Sequence, residues 1–167
     1  MTVRSVITWG DPRLKQNSAD IGDWTPELQQ LVEDMFETTL AEEGVGLAAP
    51  QLGINLNLVT IDISCGQDPA QKIVLINPEI TATEGTQSGS EGCLSVPGIT
   101  EILERPRKVW VKNRRPDGTW EELVGEDLMA RALCHEIDHL RGRLFVELFG
   151  PVKRGMIQRK YQKQQRG

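Results

Sequence analysis

The sequence predicts an α+β domain: a central H-E-x-x-H helix packed against antiparallel β-sheets, with an N-terminal helix and a C-terminal helix. Three observations predict it. Leu28, Leu31, Val32, Met35, Phe36 and Leu40 recur at helical spacing near the N-terminus. Short β-branched runs and turn residues fill the middle of the chain. Leu133 to Leu140 restores an apolar helical pattern, and a polar helix follows it. Helices set apart from a run of strands give an α+β architecture rather than alternating βαβ units.

Taken in order, residues 1–24 read as an extended arm over the body, turning at Gly10-Asp11-Pro12. Thr25-Pro26 is a helix start, with Thr as N-cap and Pro in the first helical position. Glu42-Glu43-Gly44 ends that helix, and Gly44 is expected to take the left-handed conformation there. Gly44 to Gln51 is small and nearly uncharged, which suits a tightly packed helix-to-strand connection or an edge segment able to receive a peptide. Residues 56–63 and 72–77 read as strands around a Cys65-Gly66 turn, and 85–90 as a polar loop. Residues 108–113 and 119–124 form a hairpin about Pro116-Asp117-Gly118. The motif helix runs over 126–141 and closes at Gly142. Gly150-Pro151 breaks the chain before a helix over 152–166. The organisation is a catalytic unit, 1–150, with a basic C-terminal helix, 151–167, as part of the same domain.

Composition is that of a soluble globular protein, 38% hydrophobic and 26% charged. No stretch approaches a membrane span and no signal peptide is visible. Three cysteines form no disulfide pattern, so a reducing, cytoplasmic setting is expected. The net charge of −5 divides unevenly: residues 151–167 carry six cations and no acid, so residues 1–150 carry −11. A basic tail on an acidic body suits contact with a polyanion.

His135 and His139 are the only two histidines. Four residues apart on a helix, they sit ~40° apart on one face and can meet one metal ion. Glu136 lies beside them, placed to work on water without ligating the metal. A catalytic site of this kind takes three protein ligands. Phe145 stands where a metzincin would have its third histidine, and Glu147 is the last acid in the chain. The third ligand must therefore come from upstream. Cys134 adjoins His135 and points ~100° away, as a core residue would. Cys93, between Gly92 and Leu94, is favoured over Cys65 in its polar turn, and both stay open. At this level a general H-E-x-x-H metallopeptidase and a structural metal module remain alternatives.

Three segments narrow the choice: Gly44-Val45-Gly46-Leu47-Ala48-Ala49-Pro50-Gln51, Glu91-Gly92-Cys93-Leu94-Ser95 and His135-Glu136-Ile137-Asp138-His139. Together, in this order, they resemble the signature motifs of bacterial-type peptide deformylases. The resemblance implies a hydrolase that removes the N-formyl group from the N-terminal methionine of new polypeptides and releases formate. It implies Cys93, His135 and His139 as metal ligands and Glu136 as general acid and base. It places the Gln51 amide and the Leu94 N–H at the developing oxyanion. The cofactor it implies is one divalent metal ion, Fe(II) physiologically, with Zn(II), Ni(II) or Co(II) able to take the site. Val45, Gly46, Gly92, Leu128 and Ala132 would bind the N-formyl-Met peptide, which would add as an extended strand. Relatives often carry arginine where Thr100 aligns, so a charged contact beyond methionine is not expected from that position. Arg131 is expected to point to solvent near the mouth. The C-terminal helix would meet the ribosome; neither DNA nor a membrane is an expected partner.

Overall fold

A computed structural model describes residues 2–166. Its elements in chain order are helix α1 (Pro26–Ala41), strands β1 (Gly46–Ala48), β2 (Leu58–Ile61), β3 (Ile73–Glu84), β4 (Gln87–Cys93), β5 (Val96–Arg105), β6 (Lys108–Arg114) and β7 (Trp120–Glu126), then helices α2 (Leu128–Leu140) and α3 (Pro151–Arg166). Single 3₁₀ turns fall at Pro12–Lys15, Ala49–Leu52, Pro69–Gln71 and Phe145–Leu148. The α+β expectation holds, with helices at both ends and the motif helix inside.

Five strands form one antiparallel sheet in the order β1-β2-β3-β6-β7, and β4-β5 form a separate hairpin. Side-chain alternation splits the large sheet between two helices. Ala48, Val59, Ile61, Leu75, Val109 and Val111 face Leu133, Ile137 and Leu140 of α2. Their neighbours Leu47, Leu58 and Ile76 face Leu31, Val32 and Met35 of α1. A third apolar cluster joins the hairpin to the C-terminus: Val96, Ile99 and Leu103 pack with Phe145, Ile157 and Tyr161. β1 is therefore an edge strand, and the hairpin stands apart from it with α2 between.

Thr25 caps α1, its side chain accepting the Leu28 N–H at 3.2 Å. The other end of α1 departs from expectation. Glu43, not Gly44, takes the left-handed conformation, with φ of 57°. Gly44 is small for another reason: a Cβ there would stand 3.2 Å from Leu94 Cδ1. The segment 85–90, expected as loop, is mostly strand, because Gln87–Ser90 pair with Ile102–Arg105 across the hairpin. Pairing overrides local polarity there, since one face of the hairpin meets solvent. Strand β5 itself was not expected from its sequence. The arm is tied down by Ile7 N–H to Gln51 O at 2.7 Å and Trp9 N–H to Ser95 O at 2.8 Å.

Candidate metal centre

The site forms where α2 crosses between β1 and the β4-β5 hairpin. On α2, His135, Glu136 and His139 are all buried. The hairpin register shifts between Gly92, opposite Thr100, and Cys93, opposite Val96, so the ladder is irregular where Cys93 joins the site. Cys93, His135 and His139 each present one ligand atom, and the three atoms lie within 4.8 Å of one another. Cys93 Sγ is 3.3 Å from His139 Nε2. Tetrahedral ligands at ordinary Zn–S and Zn–N lengths stand about 3.6 Å apart, so the pair is near the required spacing. Of the three upstream cysteines only Cys93 joins the histidines: Cys65 is exposed and Cys134 is buried in the core. Burial pushes the Cys134 thiol up to about 11. Phe145 packs against the His135 ring, with centroids 5.8 Å apart.

The electrostatics suit a cation. Burial opposes charge on His135, but the negative charge and hydrogen bonding of Cys93 and Glu91 outweigh it and hold its pKa well above the usual value. The attraction that would add a proton is also one that a metal ion can satisfy. His139 goes the other way: burial, then the charges of His135 and Arg105, hold its pKa well below the usual value and keep the imidazole neutral. Its Nδ1 is buried with no hydrogen-bond partner among the described residues. The donor set, one thiolate and two imidazoles, is soft enough for zinc or ferrous iron. These residues fit a divalent transition metal.

Glu136 sits beside this set, its Oε1 3.7 Å from His135 Nε2. Its Oε2 is buried without a partner among the described residues. Burial pushes its pKa up to about 7. Gly46 gives it room: a Cβ there would come within 3.0 Å of Glu136 Cγ. Gln51 is buried and fixed, its Oε1 accepting the Ala48 N–H at 2.9 Å. Its Nε2 donates to Ser95 Oγ at 3.1 Å and faces Cys93 Sγ at 3.6 Å. Leu94 occupies the turn next to Cys93.

A cavity of about 630 Å³ opens onto this centre. Its walls include Val45, Gly46, Gly92, Leu128 and Ala132, so the structure brings all five together. Leu94, Cys93, Arg131, His135 and Glu136 also line it. Leu128 is half exposed at the rim, and Ala132 is buried deeper. Arg131 corrects its expectation: it is 7% exposed and donates to Glu91 Oε1 at 2.9 Å rather than reaching solvent. The buried Glu91 carboxylate draws this helix position inward.

Sequence reasoning assigned no role to that carboxylate. Glu91 Oε2 lies 2.6 Å from His135 Nδ1. Arg105 spans Glu91 with Nε at 3.0 Å and Nη2 at 2.7 Å, and its Nη1 reaches Asp138 at 2.8 Å. Burial pushes Glu91 toward protonation, but His135 and Arg105 outweigh it and hold its pKa down at about 2. The available signal was one acid inside a run of small neutral residues, Ser88 to Gly92. Arg105 carried none, since its partners lie 14 and 33 positions away.

The polypeptide deformylase family model matches residues 3–155. A peptide deformylase of Acidobacterium capsulatum is 46% identical over 166 residues, covering 99% of this chain and 98% of that protein. A peptide deformylase crystal structure from Legionella pneumophila superposes with a TM-score of 0.92 at 42% identity, covering 99% of this chain and 96% of that one. One from Synechococcus elongatus, in complex with actinonin, gives 0.88 at 37% identity, covering 94% and 86%.

Proposed function

The chain belongs to the polypeptide deformylase family, and we propose that it works through Cys93, His135 and His139 as metal ligands with Glu136 as acid and base. Its reaction is hydrolysis: the N-formyl group leaves the N-terminal methionine of a new polypeptide as formate. The family is metal-dependent, and we take Fe(II) as the physiological ion, with Zn(II), Ni(II) or Co(II) able to occupy the same donors. The observation that carries the reading is the convergence of one thiolate and two imidazoles beside a buried, unpartnered carboxylate oxygen.

A divalent metal held there supplies Lewis acidity, making water a nucleophile at neutral pH. The remaining steps belong to the chain. Glu136 accepts the proton of the attacking water and delivers it to the leaving amine. The Gln51 amide and Leu94 N–H meet the negative charge that develops on the formyl oxygen, a contribution typically of ~10²–10³ in rate per donor. The bond from the Ala48 N–H to its Oε1 holds the Gln51 amide with Nε2 toward Cys93 and Ser95. The peptide lies extended between Val45-Gly46 and Gly92, completing two sheet edges. The methionine side chain enters the apolar space formed by Val45, Leu128 and Ala132.

The three cysteines are free, and Cys93 must stay reduced to serve as a ligand, which fits a reducing cytoplasm. Among the described residues no helix is long and apolar enough to cross a membrane. The cations of α3, all exposed, offer a surface for ribosomal phosphates. The direct test is formate release from formyl-Met-Ala-Ser beside a peptide with only internal bonds to cleave. Release from the first alone is expected. Cleavage of the second would restore the general metallopeptidase.

A further inference from the structure

Arg131 stands one helical turn before His135 on α2, so the two side chains share a face. Its guanidinium is sequestered: Nη1 donates to Glu91 Oε1 at 2.9 Å and to Leu103 O at 3.1 Å. Nη2 is buried with no partner among the described residues. That nitrogen lies against Gly89, where a Cβ would approach it to 3.2 Å. Leaving an arginine nitrogen buried and unpaired is costly, and the bonds of Nη1 must offset that cost.

Glu91 shows what Arg131 holds. Oε1 receives Arg105 Nε and Arg131 Nη1, and Oε2 receives Arg105 Nη2 and pairs with His135 Nδ1. With its Nδ1 donating to Glu91, His135 keeps Nε2 free for a metal. Arg105 belongs to β5, within the same hairpin as Glu91, and reaches α2 at Asp138, after His135. Arg131 reaches the hairpin from α2 on the other side of His135. The strand that carries Cys93 is thereby tied to the helix that carries both histidines at two points, one on each side of His135.

The geometry points to Arg131 as a positioning residue for the metal centre. Through Glu91 it holds the His135 imidazole in its ligating orientation, and Gly89 is the space its guanidinium occupies. The inference rests on the reading of Cys93, His135 and His139 as the ligand set. It extends that reading to a residue on the far side of the carboxylate, which acts on the metal centre through Glu91.

Metal retention tests it without reference to turnover. Cobalt-loaded protein is challenged with a chelator while its d–d absorption is followed, for the unaltered chain, Arg131→Met, Arg131→Lys and Gly89→Ala. Removing support behind a metal-ligating histidine typically costs 10–100-fold in metal affinity. Arg131→Met should therefore lose cobalt roughly 10-fold faster or more, with an altered d–d band, and Arg131→Lys should recover part of both. Gly89→Ala keeps every charge and only crowds Nη2, so it should move in the same direction by a smaller factor. It decides the matter if Arg131→Met fails to fold. Unchanged retention and spectra in folded Arg131→Met, or in Gly89→Ala where Arg131→Met does not fold, would overturn the inference. A wild-type protein that binds cobalt but is inert toward formyl peptides would sink the catalytic reading and leave this one to its own result.

Discussion

Glu136 and Glu91 are both buried carboxylates a few ångströms from His135, and their surroundings set them opposite tasks. Glu91 is surrounded by donors that keep it ionised. Glu136 has an oxygen with no partner, and burial lifts its pKa to about 7, where a group can both take and give a proton. Replacing Glu136 by Gln preserves shape and removes the proposed base. Formate release should fall by ~10²–10⁴, while metal content stays at that of the unaltered protein. Loss of the metal instead would make Glu136 a ligand or a structural support. Phe145 belongs to the same scale. It occupies the sequence position a third histidine would need in another family, and here its ring packs on His135.

At the scale of elements, α1 and α2 were legible because each has its own period and boundary residues. Thr25-Pro26 marks the start of α1 by a cap that the structure retains. Thr25→Ala should cost about 1 kcal/mol and lower Tm by ~2–4 °C for a chain of this size, read by thermal unfolding; no change would mean that packing alone sets the helix start. The strands of the hairpin were far less legible. Gln87 to Gly92 has no apolar alternation, and its strand conformation comes from β5 alongside, a partner that sequence spacing does not reveal. The end of α1 was misplaced by one residue because glycine has two uses. Gly44 looked like a left-handed cap, but its missing side chain admits Leu94, and Glu43 carries the positive φ. The same division runs through the site. His135, His139 and Glu136 lie in one local motif, and Cys93 followed from excluding downstream ligands and from resemblance. Glu91, Arg105 and Arg131 depend on contacts between distant segments.

For the whole molecule, the edge strand β1 and the β4-β5 hairpin hold open a cavity with α2 as its floor, and α3 braces the hairpin from behind. Ile157 and Tyr161 pack with Val96 and Ile99, and Lys153 bridges to Glu101 at 3.1 Å. Deleting α3 would strip apolar cover from the strand next to Cys93, so charge reversal is the cleaner test of its outer surface. Glu at Arg159, Lys160 and Lys163 should weaken co-sedimentation with ribosomes, most at low salt, and leave formate release intact. Equal co-sedimentation at low salt would remove the ribosome from the account. The central claim is that one metal centre built from Cys93, His135 and His139 performs deformylation. Its most direct measurement is anaerobic metal analysis coupled to a formate-release assay, starting from metal-free protein and adding Fe(II) in steps. Formate release should rise in proportion to bound metal and level off when one ion is bound per chain, and Cys93→Ala should abolish both binding and release. Activity that is independent of bound metal, or that survives in Cys93→Ala, would contradict it.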